Sequence, residues 1–188
     1  MPADQQTYVT MFTQEDDEWW TPQWLIEASR EVLGTITLDP SSTPLANERV
    51  KAKYICTRED NGLEQIWWGN VFLNPPSKRG DPTAKPHLWA KKLWREWRTG
   101  RVVHAILIVK SALGYNWYED LYRKFYVCHL RDRPNFMRPD GPVVGQCKKG
   151  VSVFYFENVW PQSKFQDVFG KYGRVIEPCR EEVNGPRP

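Results

Sequence analysis

Residues Val71 to Gly80 read VFLNPPSKRG, an apolar run that stops at Asn74-Pro75-Pro76 and opens through Ser77 into a basic segment. Two consecutive prolines cannot donate to a ladder or continue a central strand, so the backbone must leave the sheet immediately after Asn74. Carbonyls there have no strand neighbour, and the Asn74 side chain adds an acceptor oxygen beside them. Such a pair of acceptors suits a planar amine whose lone pair is delocalised into a ring or carbonyl. By taking both N–H hydrogens they pull the nitrogen toward tetrahedral geometry and localise its lone pair for attack. No strong base is needed before alkylation, because the alkylated nitrogen is cationic and loses its proton readily. Asn-Pro-Pro alone is also an ordinary turn after a strand, so its weight comes from its neighbours.

Two further apolar runs end in polar punctuation. TITLDPSS, residues 35–42, stops on Asp39 and turns at Pro40-Ser41-Ser42, and VVHAILIVKSA stops at Lys110-Ser111. A carboxylate at a strand end suits an ammonium group or ribose hydroxyls, since charge-assisted hydrogen bonds are the strong ones. In open α/β sheets ligands bind outside the carboxyl ends of the strands. If these three strands are parallel, their endings share one edge, and that edge is the candidate active site.

The elements that must position those endings alternate between strand and helix. Thr21 suits an N-cap, Pro22 the first helical position and Gly34 the residue past the end, which predicts a helix over 22–33. ANERVKAKYI predicts a helix running into a short strand near Tyr54, followed by the loop Asp60-Asn61-Gly62. PHLWAKKLWREWRTG predicts a helix closed by Gly100, with Trp89, Leu93 and Trp97 on one face and Lys91, Arg95 and Arg98 in a separate basic stripe. A further helix is expected over 117–124. YVCHL and VSVFYFE read as late strands joined by a long segment rich in Arg, Pro and Gly. About six strands are legible, and their alternation with helices predicts an α/β domain with a mostly parallel sheet.

The 188 residues are enough for one domain with a sizeable core. The expectation is one domain over 1–188, with about 1–14 and 178–188 as loose tails. With 40% hydrophobic and 26% charged residues, disorder and fibrous repeats are disfavoured. A net charge of +3 points weakly to polyanions. Ten Trp are more than a core of this size needs, so some are expected to stack on a flat ligand such as a base. Cys56, Cys128, Cys147 and Cys179 are scattered and make no ligand spacing with His87, His104 or His129, so free thiols and no metal site are expected. The apolar stretch around Ala105 to Val109 is far too short to span a bilayer, and a signal-peptide pattern is absent, so a cytoplasmic protein without membrane contact is expected.

In combined order, Trp-Thr-Pro at 20–22, Leu-Asp-Pro-Ser-Ser at 38–42, Ala46-Asn47, Gly62-Leu63, a Trp, and Phe-Leu-Asn-Pro-Pro at 72–76 resemble the short phage and prophage Dam-type DNA adenine methyltransferases. The resemblance runs from about Trp19 through Trp117 and more weakly to VSVFYFE. It implies methyl transfer from S-adenosylmethionine to the exocyclic amine (N-6) of adenine in DNA, in the cytoplasm, which is a bacterial host's if the protein is phage-encoded. It also implies a Rossmann-like class I methyltransferase fold: a twisted, mostly parallel, seven-stranded sheet with an antiparallel last strand and helices on both faces. Carried over by position, Trp20, Thr21 and Pro22 line the cofactor site, Asp39, Pro40, Ser41 and Ser42 hold cofactor polar groups, and Asn47 assists. Asn74 and the Pro75 carbonyl grip the amine, with Pro76 and Ser77 completing the motif.

This chain departs from the pattern twice. The turn after Asp39 has no Gly, so contacts there must come from side chains or another turn. Ser77 stands where the family usually has an aromatic, most often Tyr, which would stack on a base rotated out of the helix. Trp89, Tyr115 and Trp117 are the rings that follow strand ends and could substitute, while Trp89 also fits a helix core face. Lys78 and Arg79 begin a basic loop fit to lie over the substrate, and Arg131, Arg133, Arg138, Lys148 and Lys149 make a second basic region. A separate target-recognition domain has no room, and a monomer or weak dimer is expected. Cytosine N-4 methylation, methylation of a protein glutamine amide, and a module that binds without catalysis remain alternatives.

Overall fold

The computed structural model describes residues 20–76, 81–137, 143–146, 149–157 and 164–179. Helix α1 (Gln23–Leu33) is followed by β1 (Leu38–Asp39), α2 (Pro44–Val50) and β2 (Tyr54–Ile55). Then come β3 (Gly69–Leu73), α3 (Pro86–Arg98), β4 (Val102–Lys110), α4 (Asn116–Lys124) and β5 (Tyr126–Leu130). A two-stranded hairpin, β6 (Asn135–Met137) and β7 (Val143–Gln146), precedes β8 (Val151–Phe156), α5 (Lys164–Phe169) and β9 (Gly173–Ile176).

Seven strands form one sheet in the order β2-β1-β3-β4-β8-β5-β9. The pairs β1·β2, β1·β3 and β3·β4 are parallel, whereas β4·β8, β5·β8 and β5·β9 are antiparallel. The sheet is therefore mixed, and β8 joins β9 in running against its neighbours. A parallel partner needs a crossover, and the chain between β5 and β8 folds instead into the β6–β7 hairpin, so β8 re-enters beside β5 in the opposite sense. All six strands legible in the sequence are present. The seventh, β9, is the four-residue GRVI, too short to show a period. The six-residue α5 and the hairpin are too short for the same reason.

Strand alternation divides the core. On β4, Ile106 and Ile108 face one side with Leu25 and Ile26 of α1, Val50 of α2, and Phe165 and Phe169 of α5. Ala105, Leu107 and Val109 face the other with Trp89 and Leu93 of α3 and Tyr118 and Leu121 of α4. Helices thus cover both faces. The basic stripe expected on α3 is exposed at Lys91, Arg95 and Arg98, opposite the buried Trp89 and Leu93. Helix α2 starts at Pro44, earlier than the sequence pattern suggests. Thr43 caps it by accepting from the Ala46 N–H at 3.1 Å, with Pro44 in the first turn.

Phe154 of β8 is fully buried and meets the Tyr118 ring edge-on at 5.1 Å between centroids. Phe154→Ala is expected to cost about 3–5 kcal/mol, because removing a core phenyl loses transfer energy and leaves a cavity. Urea unfolding of the two proteins measures it, and a loss below about 1 kcal/mol would mean that the site collapses freely.

Candidate active site

The parallel register Leu38↔Val71 and Leu73↔Leu107 brings the ends of β1, β3 and β4 to one edge, so Asp39, Asn74 and Lys110-Ser111 share it. The first turn of α1 lies at the same edge. Its cap is Pro22, whose carbonyl accepts from the N–H groups of Leu25 and Ile26 at 3.0 and 3.1 Å. Thr21, expected to cap this helix, does not. Its side chain is buried, and its Oγ1 accepts instead from Asn74 Nδ2 at 3.1 Å, across 53 residues. A helix N-cap hydroxyl is interchangeable among many sequences, whereas this one orients a particular amide. Nδ2 is the end of the Asn74 amide that faces Thr21. Pro75 is buried and Pro76 half-buried beyond it. Ser77, Lys78 and Arg79 lie outside the described residues, as do Arg138 and Lys148.

Asp39 is only 4% exposed. Its Oδ1 accepts from the Ser41 N–H at 3.1 Å, and the Ser42 hydroxyl lies close enough to favour the ionised form. Burial outweighs both and pushes its pKa up to about 7. The turn after Asp39 is tied to β2: Cys56 N–H donates to the Asp39 carbonyl and Ser42 N–H to the Cys56 carbonyl, each at 3.0 Å. The glycine that this turn lacks is supplied by another loop. A Cβ on Gly62 would fall 1.9 Å from the Pro40 carbonyl oxygen, so only glycine lets the 60–62 loop press against Pro40.

Other expected site residues part company here. Asn47 donates from Nδ2 to the Ala52 carbonyl at 3.1 Å and accepts at Oδ1 from the Ala52 N–H at 2.8 Å. Both ends of its amide close the C-terminus of α2, where Lys51 adopts a left-handed conformation. Trp89, 4% exposed, stacks on Trp67 at 5.9 Å and donates from Nε1 to the Thr83 carbonyl at 2.8 Å. It anchors the chain where it re-enters after the Pro-Pro segment and has no open face for a base. Trp117 is half-buried against the Tyr118 ring. Tyr115, 64% exposed, is the open ring of the three. Trp20 is half-buried beneath the Arg49 guanidinium, and its Nε1 has no hydrogen-bond partner among the described residues.

Sequence reasoning missed a hydroxyl cluster beside the end of β4. Ser152 Oγ, fully buried, lies 2.7 Å from Ser111 Oγ, 2.6 Å from Tyr118 Oη and 3.0 Å from His129 Nδ1. One donor and two acceptor sites on a hydroxyl match three partners. Burial holds His129 below the ordinary imidazole range and raises Tyr118 above the ordinary phenol range, so the cluster carries no charge. Ser111 ends β4 and Tyr118 sits in the first turns of α4, so one oxygen pins both ends of the loop that carries Tyr115. The signal was a lone Ser inside the otherwise apolar VSVFYF.

Among the described residues no group of three or more His, Cys, Asp or Glu side chains could hold a metal ion, and no helix is long and apolar enough to cross a membrane.

Because the folded chain binds the Asp39 proton more tightly than the unfolded chain does, stability falls as pH rises from about 4 to about 7. Asp39→Asn keeps an oxygen for the Ser41 N–H and removes that penalty, on the order of a few kcal/mol. The variant is expected to melt several degrees higher than the parent at pH 8 and nearly level with it at pH 4. Glu157, also raised to about 7 by burial, titrates in both proteins and cancels. A Tm difference that does not change with pH would contradict the assignment.

Compared with known proteins, the chain finds no match among curated proteins. A family model does match, over residues 9–164, and its description is DNA N-6-adenine-methyltransferase (Dam). The matched span contains Thr21, Asp39 and Asn74 together with the strands that bring them to one edge. The chain belongs to the DNA N-6-adenine-methyltransferase (Dam) family, and it is a DNA adenine N-6 methyltransferase.

Proposed function

We propose that this chain draws its methyl group from S-adenosylmethionine held over the ends of β1 and β3, in a Rossmann-like class I arrangement, and that Asn74 and Pro75 present the adenine amine to it. The observation that carries the reading is the Asn74 Nδ2 to Thr21 Oγ1 hydrogen bond, which couples the Asn-Pro-Pro and Thr-Pro motifs. When bound, the cofactor supplies an electrophilic methyl on a cationic sulfur. The Asp39 pocket suits such a ligand: a buried carboxyl raised to about 7 gains most from a partner that donates hydrogen bonds or carries positive charge. Ser41 and Ser42 offer further polar contacts around it, and Trp20 Nε1 is a donor in need of an acceptor.

On the substrate side, Asn74 Oδ1 and the Pro75 carbonyl accept the two N–H bonds of the adenine amine. That grip would aim the nitrogen lone pair at the cofactor side of the edge; once the N–C bond formed and the sulfonium C–S bond broke to leave a neutral thioether, the cationic amine would release its extra proton to water. These acceptors act by geometry and require no titrating base. Tyr115 would stack on the base in place of the aromatic ring that the sequence lacks at position 77, because it is exposed and follows β4 at the shared edge. The same chemistry suits the cytoplasm of the cell whose DNA is modified, and the chain acts there as a monomer or weak dimer.

Asn74→Ala is expected to lower kcat at least 100-fold, the range found on removing a group that stabilises only the reacting geometry, while cofactor affinity stays within a few-fold. Labelled methyl incorporation, followed by nucleoside mass spectrometry for N-6-methyladenine, measures it. Equal incorporation by parent and variant would remove Asn74 from the mechanism. Tyr115→Ala is expected to raise the KM for DNA by about 5- to 150-fold, the equivalent of a lost stack of about 1–3 kcal/mol, with kcat changed less. An unchanged KM would return the stacking role to another ring.

A further inference from the structure

Beside the first turn of α1, an open groove of about 570 Å³ runs between Pro22 and Trp24 on one wall and Arg133, Met137, Lys171 and Tyr172 on the other. Its position follows from the sheet. β5 is antiparallel to β8, which is antiparallel to β4, so the carboxyl end of β5 points the same way as that of β4. The register Leu130↔Gly173 then sets residues 131–133 beside the start of β9. The groove therefore opens at the edge that carries Asn74, and Pro22 in its wall directly follows the Thr21 that holds Asn74.

Its chemistry is that of a single-stranded nucleic-acid channel. Trp24 and Tyr172 pack at 4.8 Å between centroids and are each 36% exposed, so an aromatic surface remains open. Arg131, Arg133, Lys171 and Arg174 are all exposed around them, and none forms an ion pair among the described residues. Asp132 is the acid in the lining. Aromatic faces take bases without regard to sequence, and cations beside them take the phosphates.

We propose that this groove holds the stretch of DNA strand next to the target adenine, with a base against the Trp24–Tyr172 pair and phosphates against Arg133 and Lys171. This rests on the reading that the Asn74 edge receives the adenine. It also gives the strand a second point of grip beyond the Asn74 edge.

The test uses the full chain, a fluorescently labelled oligonucleotide and anisotropy titrations across a salt series. Arg133→Glu/Lys171→Glu is expected to weaken DNA binding at least tenfold at low salt. It should also reduce the slope of log affinity against log salt by about two, one for each phosphate that the variant no longer neutralises. Trp24→Ala is expected to weaken binding about fivefold or more with little change in slope. Cofactor affinity stays level in both. The comparison is Lys53→Glu/Arg98→Glu, two exposed cations away from this edge, one before β2 and one at the end of α3. The same drop in slope in that control would overturn the proposal. So would an unchanged DNA affinity with a lowered Tm in the groove variants, which would mean that the groove is filled by the chain's own residues 1–19. If the parent binds DNA with the expected groove dependence but no N-6-methyladenine forms, the Asn74 chemistry fails and the groove stands. If the parent methylates and the groove variants match its DNA affinity and KM, the groove fails and the chemistry stands.

Discussion

Pro75 and Pro76 stop β3 between two parallel neighbours, and everything at the active edge depends on where that stop falls. β3 is short, but β1 and β4 fix it on both sides through Leu38↔Val71 and Leu73↔Leu107. Because side chains alternate, Phe72 is committed to one face of the sheet and Val71 and Leu73 to the other. A slip of one residue would exchange those faces and carry Asn74 away from Thr21. The core therefore sets the position of the amide, and the hydrogen bond to Thr21 tethers its side chain.

The same edge treats its polar groups in two opposite ways. Ser111, Tyr118, His129 and Ser152 satisfy one another in a neutral cluster and hold the Tyr115 loop in place. Asp39 is left with local donors too weak to offset its burial. A buried group with complete partners rigidifies the fold, whereas one with incomplete partners is destabilising until a ligand completes it. The ends of β1 and β4, on either side of β3, differ in this respect: the hydroxyl cluster after β4 is complete in itself, whereas the Asp39 carboxyl is not offset by its local donors. The turn after Asp39 has no glycine of its own, and the close approach at Pro40 is made by Gly62 from a neighbouring loop.

Much of this was legible in the chain, for identifiable reasons. The strands ending at Asp39, Asn74 and Lys110 are apolar runs closed by proline or charge, and such punctuation acts locally. Trp89 shows the boundary of that legibility: its spacing with Leu93 and Trp97 admits both a core face and a base platform, and burial against Trp67 decides for the core. Asn47 is a second case: an amide near a ligand and an amide closing a helix have the same sequence signature, and the helix-closing contacts with Ala52 are visible only in the fold. The mixed sense of the sheet was hidden because direction depends on how connections cross, which short elements such as α5 and β9 do not announce.

By itself the sequence determined the residue types at the strand ends, the order of the strong strands and helices, and the chemistry an Asn-Pro-Pro ending can support. These depend on backbone geometry within a few residues: proline without an N–H, alternating side chains, a glycine at a helix end. Tertiary structure alone decided that Thr21 serves Asn74 and not its own helix, that Ser152 joins β4, α4 and β5, and that Trp24 meets Tyr172 across the sheet edge. Those pairings join residues far apart in the chain, and a hydrogen bond or ring contact between them exists only once the packing of two apolar faces has fixed every strand in register.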